Sequence, residues 1–139
     1  MKETELQKLI RTSLSINFGH LSFNLKIHPD IYMEHGIPDI ISCVMGRFVG
    51  IEAKIYPNRP SDEQIRMMRK IRSAGGISYY LIRDNGNNSF YWVNGDIEIF
   101  SYRLKDSWFA SEGVLNRIVK DRKFDYINCA PLIMEVMKS

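Results

Sequence analysis

A mixed α/β domain, a β-sheet flanked by helices, is the fold class this sequence predicts. Three observations carry it: a helical stripe at the start, several apolar runs of strand length bounded by Gly and Pro, and a second helical stripe set between two of those runs. Leu6, Leu9, Ile10 and Leu14 recur at spacings of three and four, so residues 3–14 read as a helix. Glu3 and Gln7 lie one turn apart on the flank of that stripe nearest Ile10. Residues 22–28 alternate, with Phe23, Leu25 and Ile27 on one side, and predict a half-buried strand facing the core with those three.

The apolar runs 37–45 and 48–56 predict two central strands joined at Gly46-Arg47 as a hairpin. Ser61, followed three residues later by Gln64, predicts a capping box. The helix it opens turns Ile65, Met68 and Ile71 inward and Arg66, Arg69, Lys70 and Arg72 mostly outward, and Gly75-Gly76 ends it. Residues 77–83 predict another buried strand. Residues 89–93 and 96–100 predict a hairpin, because Asn94-Gly95 suits the positive φ angles of a type I′ turn. Val114, Leu115, Ile118 and Val119 predict a helix over 112–122, and the apolar tail from Pro131 fits helix and strand equally.

The length of 139 residues suits one domain spanning 1–139, and 45% hydrophobic with 25% charged residues is enough to close a core without disulfides. No apolar run approaches the roughly 18–20 residues of a membrane span. The first residues lack the unbroken apolar stretch and small-residue cleavage site of a secretory signal. Membrane and secreted classes are set aside, and a cytoplasmic setting is expected. Cys43 and Cys129 belong to no Cys/His cluster, so reduced thiols are expected rather than a zinc site. His28, Glu34 and His35 lack regular ligand spacing and are expected to line a groove rather than bind zinc. A net charge of +3 is compatible with a nucleic-acid partner.

One constellation stands out. Asp39 opens the first central strand, while Glu52 and Lys54 lie near the end of the second. Period-two alternation puts Glu52 and Lys54 on one face, and Asp39 meets them from the neighbouring strand. Two carboxylates repel unless a cation or proton sits between them, and oxygen-only ligands favour Mg²⁺ or Mn²⁺.

The run Gly36-Ile37-Pro38-Asp39, then Gly50-Ile51-Glu52-Ala53-Lys54, then Gln64 and Gly75-Gly76, resembles the PD-(D/E)XK nuclease superfamily, most of all its virus-type replication-repair nuclease (VRR-NUC) branch. The resemblance covers residues 1–83, with 84–139 as an elaboration. It implies a restriction-endonuclease-like fold and metal-dependent endonucleolytic cleavage of DNA, structured or branched, in the setting of phage replication or of repair and recombination, by a homodimer. It also implies a metal held by Asp39, Glu52 and the carbonyl of Ala53, a water positioned by Lys54, and a site role for Gln64. The related archaeal Holliday-junction resolvases add an acid from the first helix, which falls here on Glu3, with Glu5 as the alternative. Given such a site, Arg66, Arg69 and Lys70 are expected to meet DNA phosphates, with Lys120, Arg122 and Lys123 as a second basic group.

Each residue also has a plainer role. Asp39 caps a strand, Glu52 and Lys54 form a same-face ion pair, Gln64 completes a helix cap, and Glu3 is a first-turn acid favoured by the helix dipole. The apolar surroundings of Asp39 and Glu52 favour the catalytic reading. Phe90, Tyr91 and Trp92 could stack on unpaired bases, but at strand spacing core packing is favoured. The competing functions are a DNA-binding module that does not cut and an RNA-directed nuclease of the same fold.

Overall fold

The computed structural model describes residues 1–28, 35–96, 109–111, 114–119 and 122–138. Helix α1 (Glu3–Phe18) leads through a short 3-10 turn into β1 (Ser22–Lys26), β2 (Ile40–Val44) and β3 (Arg47–Ile55). Helix α2 (Asp62–Ser73) follows, then β4 (Ile77–Asp84), β5 (Ser89–Asn94), β6 (Phe109–Ser111), β7 (Val114–Val119), β8 (Arg122–Ile127) and α3 (Ala130–Val136). Strands β1 to β6 form one sheet in chain order, and β7 pairs with β8 in a separate ribbon. Among the described strands only β3 and β4 run parallel, as the α2 crossover between them requires. The mixed α/β class expected from the sequence is therefore the class found. Among the described residues no helix is long and apolar enough to cross a membrane.

The sheet buries its two faces differently. On one face Ile40, Val44, Val49, Ile51, Ala53 and Leu81 join α1's Leu6, Ile10 and Leu14 and α3's Leu132 in a single core. On the other, α2 lays Met68 onto Tyr80, Ile82 and Val93, with Ile65 and Ile71 packed alongside. The box at Ser61 forms as expected: Ser61 Oγ accepts from the Gln64 amide at 3.1 Å and Gln64 Oε1 accepts from the Ser61 amide at 2.9 Å. Helix α2 ends in Gly75, whose φ is +92°, again as expected.

Several expectations are corrected. The β2–β3 turn is Met45-Gly46, one residue earlier than expected; both have positive φ (49° and 80°), as a type I′ turn demands. Asn94-Gly95 is not such a turn, since neither residue has positive φ. Asn94 Oδ1 accepts from the Asp96 amide instead, and Gly95 lies so close to Ser78 that a Cβ would collide with it. The β5 partners are β4 and β6, and of the expected strand over 96–100 all but Asp96 falls outside the described residues. The helix expected over 112–122 is the β7–β8 ribbon. Val114, Ile118 and Val119 are β-branched and stiff at χ1, and pairing with the strand that follows directly, Val119 opposite Arg122, outweighs their helical spacing. The tail from Pro131 is α3.

Strand β1 faces the opposite way from the expectation. Phe23 is 65% exposed and Leu25 46%, while Ser22, Asn24 and Lys26 are half-buried. Asn24 turns toward α1, where its amide reaches Ser15 Oγ at 3.5 Å and its carbonyl accepts from Ser42 Oγ. This polar pairing holds the strand in the register that leaves its apolar side open. Arg72, expected on the outer face of α2, is half-buried: it donates to the Ser78 carbonyl, pairs with Glu135 of α3 and stacks on Tyr79.

Two glycines with positive φ differ in their surroundings, which yields a test. A Cβ at Gly36 would run into the Glu63 carbonyl at the head of α2, whereas nothing lies within 4 Å of one at Gly46. Gly46→Ala should cost about 1–2 kcal/mol, the backbone term alone. Gly36→Ala should add overpacking of about 1–3 kcal/mol. Thermal melts of the two variants measure the difference, and equal losses would show that the loop does not press on α2.

Candidate active site

The approach to the site is set by two tight contacts. Gly36 lies against the first turn of α2, and Pro38 is buried over Gly50, where a Cβ would come within 2.9 Å of Pro38 Cγ and 3.0 Å of Ile71 Cδ1. These deliver Asp39 to the head of β2, one step beyond the Ile40–Ile51 pair, and so opposite Glu52. Asp39 Oδ2 then accepts the Ala53 backbone amide at 2.9 Å. Alternation along β3 sends Glu52 and Lys54 to the α2 side of the sheet, with Lys54 Nζ 3.9 Å from Glu52 Oε1. From the first turn of α2, Gln64 Nε2 donates to the same Oε1 at 3.0 Å. Glu3, in the first turn of α1, completes the group: carboxylate oxygens of Glu3, Asp39 and Glu52 all lie within 4.8 Å of one another.

Glu52 is 1% exposed, the one charged side chain that is fully buried among the described residues. Its Oε2 is buried and takes no hydrogen bond from a donor, because the Asp39 carboxylate nearby has no hydrogen to give unless one of the two is protonated. Burial first, and then the charge of Asp39, push the Glu52 carboxyl up to about 9, against an opposing pull from Lys54. Glu3 is also raised, chiefly by burial, with Lys54 pulling down and Asp39 pushing up. A divalent cation suits this arrangement on the donors' own chemistry. Three carboxylates converge, one buried oxygen lacks a partner, and every donor is a hard oxygen. The Lys54 side chain is 13% exposed, so the cluster opens to solvent on its side.

The structure thus brings Asp39, Glu52, Lys54, Gln64 and Glu3 together, while Glu5 is exposed. Ala53 is buried and meets Asp39 through its amide. Arg66, Arg69 and Lys70 are exposed and line a shallow groove on the outer side of α2 with Asp62, Ile65 and Ser73. Lys123 is exposed; Lys120 and Glu34 fall outside the described residues, and His28 and His35 are exposed. Phe90 and Trp92 are core residues, with Trp92 Nε1 donating to the Asn128 carbonyl at 2.8 Å. Two neighbours of the site escaped the sequence reading. Tyr80 pairs with Glu52 across β3–β4, and burial and that carboxylate both push its phenol up. Asn85, in the β4–β5 turn, accepts from the Met1 nitrogen at 3.1 Å and donates to the Met1 carbonyl at 3.0 Å, tying down the residues just before Glu3. Both depend on a register across the sheet that no local pattern announces.

A scan against protein-family models finds no match, and a search of curated proteins finds none either. Solved structures are similar to this chain. One is the Hjc Holliday junction resolvase of the archaeal hyperthermophile Archaeoglobus fulgidus, with 12% identity and a TM-score of 0.47 over 66% of this chain and 80% of that one. Another is a VRR_NUC domain, with 19% identity and a TM-score of 0.44 over 61% of this chain and 87% of that one.

The raised Glu52 carboxyl has a measurable consequence. Its ordinary value is 4.5, so between about pH 5 and pH 9 the folded chain holds a proton that the unfolded chain has released. Without added metal, the melting temperature should therefore fall as pH rises through that window. Glu52→Gln should flatten the dependence and melt higher at pH 8. Added Mg²⁺ or Mn²⁺ should raise the melting point of the original chain at pH 8 and leave Glu52→Gln nearly unmoved. A flat pH profile in the original chain would remove the buried charge from the account.

Proposed function

We propose that this chain is a divalent-metal-dependent endonuclease that hydrolyses DNA phosphodiester bonds, with structured or branched DNA as substrate. The observation that carries the reading is the convergence of Glu3, Asp39 and Glu52 on one point beside Lys54, around a buried oxygen with no hydrogen-bond donor. A binding module has no need of three carboxylates facing a phosphate. The motif's resemblance to PD-(D/E)XK nucleases supports the same chemistry and the choice of DNA.

Asp39, Glu52 and Glu3 would hold Mg²⁺ or Mn²⁺, with the Ala53 carbonyl as a further ligand. When bound, the cation neutralises the acids and supplies Lewis-acid polarisation of a phosphoryl oxygen. The chain's own groups do the rest. The Ala53 amide fixes the Asp39 carboxylate, and Gln64 fixes one oxygen of Glu52 so that the other points into the cluster. The Lys54 ammonium, at the open side of the cluster, orients the attacking water and offsets the negative charge that builds at phosphorus. The exposed Arg66, Arg69 and Lys70 reach flanking phosphates.

Plain duplex, flap, splayed-arm and four-way-junction DNAs, with matched RNAs, each tested in Mg²⁺ and then in EDTA, examine the whole reading. Cleavage of branched DNA that EDTA abolishes is the expected result. Binding without cleavage would leave a non-cutting module, and cleavage of RNA alone would move the substrate class. Asp39→Asn and Glu52→Gln should each abolish cleavage while circular dichroism stays unchanged.

Lys54→Ala should cost on the order of 10²–10⁴ in rate, the range of one positioned catalytic group, and still bind DNA. If binding and cutting fall in proportion, Lys54 is a phosphate anchor instead.

Each phosphate contact contributes a slope of about −0.9 to log K against log salt on B-form duplex. The double variant Arg66→Glu, Arg69→Glu should flatten that slope and weaken binding to every sequence alike, measured in Ca²⁺ to suppress cutting. An unchanged slope would assign the stripe to solvent.

A further inference from the structure

We propose that Gln7 is a positioning residue of the acid cluster: its side-chain carbonyl accepts a hydrogen from water that a bound divalent cation carries, on the Glu3 side of the site. The inference rests on the metal-site reading given above and deepens it. Helix α1 buries two polar side chains, Gln7 at 7% exposure and Ser13 at 0%. Ser13 is fully engaged, donating to the Leu9 carbonyl at 2.7 Å and accepting from the Ile127 amide at 2.8 Å. Gln7 is not. Among the described residues its Oε1 is buried and accepts from no donor. A buried amide oxygen in that condition destabilises the metal-free fold, and an ion or its water is one of the few things that relieves it.

Position says which donor is missing. Gln7 stands four residues after Glu3, so the two share a side of α1, with Cβ atoms about 5–6 Å apart. Helical side chains lean toward the N-terminus, which carries the Gln7 amide back over the turn that bears Glu3. Glu3 in turn places a carboxylate oxygen in the group it forms with Asp39 and Glu52. That turn is held in place: the Leu6 amide donates to the Lys2 carbonyl at 3.0 Å, and Asn85 grips Met1 by its nitrogen and its carbonyl. Two buried oxygens without a donor, Glu52 Oε2 and Gln7 Oε1, therefore belong to the cluster and to the helix turn beside it. Ionised carboxylates accept only, so the acids themselves have nothing to give the Gln7 oxygen. A hydrated cation does, because Mg²⁺ loses its waters reluctantly and keeps several of them when bound. An amide also suits the place by its neutrality: it orients a water without adding to the negative charge of the three acids.

Mn²⁺ titrations of the DNA-free chain, followed by the paramagnetic resonance of the free ion, test this beside metal-free thermal melts. Gln7→Leu should weaken Mn²⁺ binding on the order of 10–100-fold, the range for groups that orient a metal's ligands. The same variant should melt no lower than the original chain without metal, since the buried oxygen is gone. Gln7→Glu keeps an oxygen at the same reach and should hold Mn²⁺ at least as well, yet melt lower without metal because a like charge joins Glu3. Ser13→Ala should melt lower and leave Mn²⁺ binding unchanged. Undiminished Mn²⁺ binding in Gln7→Leu would overturn the proposal and leave the acid cluster standing. So would a Gln7→Leu chain that melts lower as its binding weakens, or equal weakening in Ser13→Ala, since either makes Gln7 a packing residue. An original chain that binds no Mn²⁺ would remove the metal site itself and this role with it.

Discussion

A carboxylate at Glu52 would not be stable in this sheet unaided. Burial alone disfavours its ionised form, Asp39 and Glu3 make that worse, and Lys54 at 3.9 Å compensates only in part. Everything around the site answers that one problem. The Ala53 amide stabilises the neighbouring acid, Gln64 occupies one Glu52 oxygen, and Lys54 approaches from the open side. What remains is an oxygen with no donor, in a place where a doubly charged ion would resolve all three repulsions together. The folded chain thus carries an electrostatic deficit that a proton on Glu52 removes below about pH 9 and that a divalent cation would remove above it.

The scaffold explains how such a deficit is tolerated. Apolar packing on both sides of β3 and β4 is extensive, with α1 and α3 on one face and α2 on the other. The three acids come from α1, the head of β2 and the end of β3, elements each held by contacts that do not involve the cluster. Arg72, Glu135 and Tyr79 tie α2, β4 and α3 together, with Tyr79 next to Tyr80, the residue opposite Glu52.

The parts of the fold legible in the sequence were those governed by local chemistry. Helix α2 could be read from its capping box and closing glycines, and β2–β3 from two apolar runs around a short turn. Asp39, Glu52 and Lys54 could be read as neighbours because alternation and a hairpin suffice to place them. Legibility failed where spacing or a turn signal had a second reading. The 114–119 segment has helical spacing, but its β-branched residues pair with the adjacent β8, and Asn94-Gly95 looks like a hairpin turn but serves a close approach to the distant Ser78. Strand β1 failed for a different reason: alternation identifies two faces without saying which is buried, and the bond from Ser42 to Asn24 turns the polar one inward. Which helix acid joins the cluster was likewise a tertiary matter, and the structure places Glu3 there.

The amide of Gln64 closes the α2 cap with its oxygen and holds Glu52 with its nitrogen. That double engagement narrows what evolution can do at this position. Glutamate would keep the cap but bring another negative charge to Glu52. Lysine would hold Glu52 but open the cap, and asparagine is one methylene shorter across the same span. A residue that looks like an ordinary helix starter is thereby bound to the fate of the acids. With the Glu52 carboxylate in place both ends of the amide are committed; without it, only the cap would constrain the position.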